Sequence, residues 1–184
     1  MVAVAHRMPE ADSVPLPQSP ELAEIFHAHA DFVWRALRRL GVSDSDAEDA
    51  VQEVFLVVCR RLADYEERGA IRAWLFAISR QVASHYRRSA LRIERKHQAL
   101  PTDAVSSSDP QEAAMRAEAV ALVHAFMSEL DEPQAMVFYL AEVEGMTAPE
   151  VAAALGVKLN TVYGRLRLAR KRFEAMLRRT SPER

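Results

Sequence analysis

The sequence holds a single cysteine, Cys59, so no intramolecular disulfide can form and no cysteine-rich zinc site can be built. A reducing, cytoplasmic setting is expected. Glycine is scarce, five in 184 residues, while Ala, Leu, Arg and Glu are used heavily, which disfavours a turn-rich β-sandwich and favours helices. No stretch alternates as a strand would. Apolar runs such as Val54 to Cys59 fall far short of the ~20 residues a membrane span needs, so no membrane insertion is expected. Met1 to Pro20 carries four prolines and one Arg but no apolar core of the signal-peptide kind, so no export is expected either. Apolar residues at 49% and charged residues at 27% nevertheless supply material for a real core.

Signs of chemistry are equally sparse. There is no Gly-rich phosphate loop and no nucleophile beside a matching base, so neither catalysis nor a cofactor is expected. Asp44, Asp46 and Glu48 faintly resemble a calcium loop but lack its glycine and its closing Glu. His27 and His29 fall on different faces of a helix and cannot share a metal there. Cys59 is expected to be a small buried apolar residue.

Charge is the first positive signal. The net charge of −2 hides blocks of opposite sign. Gly41 to Val58 carries five acids and no Lys or Arg; Arg80 to His97 carries six basic residues against Glu94; Ala99 to Glu150 carries ten acids against Arg116; Lys158 to Arg184 carries nine basic residues against two acids. Two separated basic segments are the footprint of two contacts with one polyanion, although solvated helix faces would give the same pattern.

Helical spacing organises the rest. Ser19 and Pro20 open a first helix through Leu22, Ile25, Phe26, His29, Phe32, Val33, Leu37 and Leu40, which Gly41 stops. Ser45 with Glu48 makes a capping box ahead of a second helix through Ala50, Val51, Val54, Phe55, Val58 and Leu62. Past a loop from Asp64 to Gly69, a third helix carries Ile71, Trp74, Leu75, Ile78, Val82 and Tyr86 into the first basic block. Residues 98–110, with Pro101 and Ser106 to Ser108, lack periodicity and form a flexible linker. Beyond it, Asp109–Pro110 opens a helix with Met115, Leu122, Val123, Phe126 and Leu130. Pro133 restarts one through Met136, Val137, Tyr139, Leu140 and Val143 to Gly145. Thr147 and Glu150 box a short helix to Leu155, Gly156 stops it, and Asn160 caps a last helix to about Leu177. The expected fold is all-α: a flexible tail (1–18), a helical domain (19–97), the linker (98–110) and a second helical domain (111–180).

Glu150 to Leu166 has the spacing of a helix-turn-helix, with Val151, Leu155, Val157 and Val162 inward and Gly156 at the turn. The outward residues Asn160, Thr161, Tyr163, Gly164, Arg165 and Arg167 could then enter a major groove, with the basic segment following directly. An ordinary helical hairpin would share the looser features of this pattern.

Both halves together resemble one family, the sigma-70 initiation factors of bacterial RNA polymerase, in the short extracytoplasmic-function (ECF) group that keeps only sigma domains 2 and 4. DAEDAVQEVFLVV (Asp46 to Val58) looks like the core-binding helix, RAWLFAISRQVASHYRRS (Arg72 to Ser89) like the segment that melts and reads the −10 element, and Met127 to Glu174 like domain 4, which reads the −35 element. The resemblance implies binding to core RNA polymerase through Asp49, Gln52, Glu53 and Phe55 on an outer stripe. It implies −10 DNA contacts at Arg80, Gln81, Arg87 and Arg88, and a promoter base held by the loop Asp64 to Ala70. The −35 contacts would fall at Asn160, Thr161, Tyr163, Gly164, Arg165 and Arg167, with Arg170, Lys171 and Arg172 on backbone phosphates. An anti-sigma partner is also implied. Gln81 stands where the family usually has Asn, His85 where it often has Asp, and Gly164 where Ser is common. The rival is a helix-turn-helix regulator driven by an N-terminal sensing domain. Such a domain needs a pocket or phosphoacceptor, whereas this first half offers an acidic face followed by a basic helix.

Overall fold

The computed structural model describes residues 20–65, 70–94 and 121–180. The tail, the linker, most of the loop after Asp64 and the expected Ser19 and Asp109–Pro110 starts lie outside the described residues. Among those described, every regular element is helical, and the chain divides into two compact units, each described by itself.

The first unit packs α1 (Pro20–Arg39), α2 (Asp44–Arg61) and α3 (Ile71–Glu94) against one another in all three pairings. Its core is the set the spacing selects: Phe26, Val33 and Leu37 from α1, Val51, Val54 and Val58 from α2, and Leu75, Ile78 and Val82 from α3, joined by Phe76. The stop after α1 is a Schellman motif. Gly41 sits at φ +89°, its N–H donates to the Arg38 carbonyl (3.0 Å), and the Val42 N–H donates to the Leu37 carbonyl (3.1 Å) while the Val42 side chain is buried. Arg38 then reaches over the turn to Asp44 at 2.8 Å. The cap of α2 falls two residues before the expected one: Ser43 is the N-cap, and its hydroxyl donates to Asp46 rather than accepting a backbone N–H, while Ser45 and Glu48 lie inside the helix. A short 3₁₀ turn, Leu62–Asp64, follows α2.

In the second unit α4 is described over residues 121–128, followed by α5 (Glu132–Phe138), α6 (Ala148–Leu155) and α7 (Leu159–Thr180). Asp131 caps α5 by accepting from the Gln134 N–H at 2.8 Å. Packing of α5 on α7 is centred on three rings, Phe126, Phe138 and Phe173, with centroids 4.9 to 5.5 Å apart. The helix expected to continue evenly to Val143 instead widens into a π-helical turn, Tyr139–Val143. Three bonds close that turn: the Glu144 N–H donates to the Tyr139 carbonyl at 3.0 Å, the Tyr139 hydroxyl donates to the buried Glu144 carboxylate at 2.6 Å, and the Met146 N–H donates to the Leu140 carbonyl at 2.9 Å. Thr147 and Glu150 form the expected reciprocal box, the Thr147 N–H donating to Glu150 Oε2 (2.6 Å) and the Glu150 N–H to Thr147 Oγ1 (3.4 Å).

Candidate functional site

Two surfaces of the first unit and one of the second carry the residues that chemistry singles out. The first lies on α2. Its buried stripe, Val51, Val54, Phe55 and Val58, follows an i, i+3, i+4, i+7 pattern, and this corrects the expectation for Phe55. Phe55 is 6% exposed and meets Phe26 edge-on at 4.8 Å, so it is a core residue and not part of the outer stripe. Asp49 is exposed, and Gln52 and Glu53 are half-buried. Glu53 is engaged within the unit: the Tyr86 hydroxyl of α3 donates to it. Burial first, then the carboxylates of Glu53, Asp49 and Asp46, raise the Tyr86 pKa above its ordinary value. The outward position next to Phe55 belongs to Leu56, 57% exposed, seven residues after Asp49 and four after Gln52. Cys59 is exposed as well, contrary to expectation, because it follows Val58 and so rotates off the buried stripe.

The second surface is the C-terminal half of α3. Arg80, Gln81, Arg87 and Arg88 are all exposed, and their seven-residue spacing sets them in two adjoining rows, Arg80 with Arg87 and Gln81 with Arg88. The aliphatic stem of Arg87 lies beside Gly41, where an added Cβ would come within 3.4 Å of it. Trp74 starts the Gln81–Arg88 row. It is half-buried and its ring pairs with Tyr65 at 4.8 Å, which anchors the helix start to the end of the 3₁₀ turn.

The third surface is the helix-turn-helix of α6 and α7. Gly156 has φ +67°, and the Val157 N–H donates to the Ala152 carbonyl at 3.1 Å, the expected left-handed stop. Val151, Val162, Leu166 and Ala169 are buried, while Leu155 and Val157 are only partly so. The α7 start falls one residue before the expected cap: the Lys158 carbonyl accepts the first helical bonds, and Asn160 lies exposed in the first turn. Tyr163 and Arg167 are exposed; Thr161, Gly164 and Arg165 are partly so. Arg170 and Arg172 turn back onto the unit. Arg170 grips Glu142 of the π turn through Nε and a terminal nitrogen, each 2.7 Å from the same oxygen, and Arg172 donates to Gln134 at 3.0 Å. Lys171 between them is exposed.

Among the described residues no three His, Cys, Asp or Glu side chains gather as a metal site, and no helix is long and apolar enough to cross a membrane.

Residues 25–93 match the Sigma-70 region 2 family model, and residues 121–173 match that of Sigma-70, region 4. The chain is 30% identical over 162 residues to the RNA polymerase sigma factor CnrH of Cupriavidus metallidurans, covering 81% of this chain and 82% of that one. It is 31% identical over 170 residues to the ECF RNA polymerase sigma factor SigE of Mycolicibacterium smegmatis, covering 89% of this chain but only 64% of SigE. The chain belongs to the sigma-70 family, in its ECF group. An ECF sigma factor directs RNA polymerase in transcription initiation, and the helix-turn-helix described above is its region 4. Its fold is similar to that of CnrH solved in complex with the cytosolic domain of CnrY, at 27% identity and TM-score 0.60, covering 87% of this chain and 89% of that one. The fold is also shared with RpoE of Bartonella quintana, solved with the anti-sigma factor NepR, at 19% identity and TM-score 0.61 over 87% and 98% of the two chains.

Leu56 and Leu168 are not singled out by any sequence motif. Both are apolar positions off the buried stripe of their helix, and a face-by-face plot of each helix is the signal that finds them.

Proposed function

We propose that this sigma factor divides its work among the three surfaces. The acidic outer face of α2, through Asp49, Gln52, Glu53 and Leu56, docks to a basic surface of core RNA polymerase. Arg80, Gln81, Arg87 and Arg88 of α3 bind the −10 element. Asn160, Thr161, Tyr163, Gly164, Arg165, Arg167 and Lys171 of α7 bind the −35 element. The two domains run over residues 19–97 and 111–180, with a linker at 98–110. The observation that carries this reading is the presence, in one three-helix unit, of an acidic face with an exposed Leu56 and of a separate basic face on α3. A sensing domain has use for neither. Arg170 and Arg172 follow on the same helix and meet backbone phosphates, while their contacts to Glu142 and Gln134 brace α7 on its own unit.

The protein acts in the cytoplasm, needs no cofactor and catalyses nothing itself; the polymerase supplies the chemistry. The partners of CnrH and RpoE in their solved complexes support an anti-sigma partner for this chain too, one that covers the polymerase- and DNA-binding faces. Transcription in vitro with purified core polymerase tests the whole. Addition of this protein should switch on initiation at a promoter that core alone ignores; no promoter-specific initiation from a library of genomic fragments would refute the reading.

A further inference from the structure

The outward face of α7 carries a glycine that the fold itself does not require. Asn160, Gly164, Leu168 and Lys171 follow one another at intervals of four, four and three, so they share a face, opposite the buried Val162, Leu166 and Ala169. Gly164 lies inside the helix, its φ is not positive, and a Cβ built there meets nothing within 4 Å. Neither backbone conformation nor packing within the chain explains a residue that weakens a helix. One turn further on, Leu168 is 47% exposed although Arg167 and Lys171 flank it with charge. Those cations suit a polyanion. In the major groove of duplex DNA the apolar feature is the 5-methyl group of thymine.

We infer that Gly164 and Leu168 form a notch that reads a thymine methyl: the missing Cβ lets the α7 backbone approach the base edges, and the Leu168 side chain packs on the methyl. The inference rests on the assignment of α7 to the −35 element and names one base feature it selects. Gly164 lies in the second turn of α7, where a recognition helix meets base edges, and Leu168 stands one turn further along the same face.

The test uses the full chain with core polymerase on a promoter selected from a library randomised at −35. Each −35 thymine is replaced in turn by deoxyuridine, which removes the methyl and leaves pairing unchanged. At one position the replacement should lower initiation about three- to tenfold with the unaltered protein. Leu168→Ala should be indifferent to that same replacement, because the leucine and the methyl form one pair and removing either member already abolishes it. Gly164→Ala should raise the melting temperature by about 2–8 °C, the usual return for a helical Gly→Ala, yet cut initiation tenfold or more. Tolerance of deoxyuridine at every position, persistence of the methyl effect in Leu168→Ala, or full activity or a lowered melting temperature in Gly164→Ala would each overturn the notch. Whole base-pair substitutions at −35 separate the two levels. If they abolish initiation while deoxyuridine does nothing, only the notch fails; if they too are harmless, −35 reading by α7 fails with it.

Discussion

Two neighbouring residues of α2 should fail in opposite ways when cut back to alanine. Phe55 is 6% exposed and packed edge-on against Phe26, so Phe55→Ala removes a ring from a close-packed core and leaves a cavity. Such changes cost about 3–5 kcal/mol. At ~0.05–0.15 kcal/mol per residue, a unit the length of residues 20–94 has about 4–11 kcal/mol in hand, so much or all of its stability would go. Leu56 is 57% exposed, and Leu→Ala on a solvent-facing helix position changes folding stability little. Burying a whole leucine is worth about 1.5–3 kcal/mol, and the exposed half or so still available to a partner is worth about 1–1.7 kcal/mol, or roughly five- to twentyfold in affinity. Titration of labelled protein against core polymerase, beside thermal unfolding followed by circular dichroism, measures both. Phe55→Ala should unfold at markedly lower temperature; Leu56→Ala should unfold normally and bind core five- to twentyfold more weakly. A Leu56→Ala protein with unchanged polymerase affinity, or with lowered stability, would refute the assignment of Leu56 to the docking face.

Asp49→Lys should weaken co-purification with core at least tenfold, about 1.4 kcal/mol, without lowering the melting temperature; adding Glu53→Lys should lower that temperature too, because Tyr86 loses its acceptor. Tyr139→Phe leaves the buried Glu144 without its 2.6 Å hydroxyl donor and should cost about 1–3 kcal/mol in the second unit, read by denaturant unfolding. Burial, and secondarily the Arg72 cation, hold the His29 imidazole below its ordinary value of 6.5. The unfolded chain therefore takes up that proton at higher pH than the folded one, so stability should fall as pH drops below about 6.5, and His29→Gln should flatten that slope. Arg165→Ala should lose about 1–3 kcal/mol on the preferred −35 sequence and narrow its advantage over mutated ones, whereas Lys171→Ala should weaken all sequences alike and lower the salt slope by about one unit; initiation assays at two salt concentrations tell them apart.

Sequence spacing goes furthest where the interactions are local. The glycine stops at Gly41 and Gly156 and the Thr147–Glu150 box depend on residues within one or two turns and stand as expected, whereas the box expected at Ser45 and Glu48 gives way to a cap at Ser43. The acids around Phe55 suggest an outward place for it, although its own spacing from Val51, Val54 and Val58 assigns it to the core. The partners of Arg170 and Arg172 lie 28 and 38 residues away, a separation over which a pattern of charge carries no geometry. The π turn escapes the pattern for another reason: widening a helix by one residue over Tyr139–Val143 changes the backbone bonding without interrupting the run of apolar residues.

The exposed thiol of Cys59 has a practical side. It is the only thiol in the chain, and it stands one helical turn beyond Leu56, on the rim of the face assigned to polymerase. A maleimide dye can therefore be attached at one defined point without altering any residue first. Such a fluorophore would sit about 5 Å along the helix from the docking leucine. Its emission would then report, in real time and on the native sequence, when that face passes from water into a protein interface.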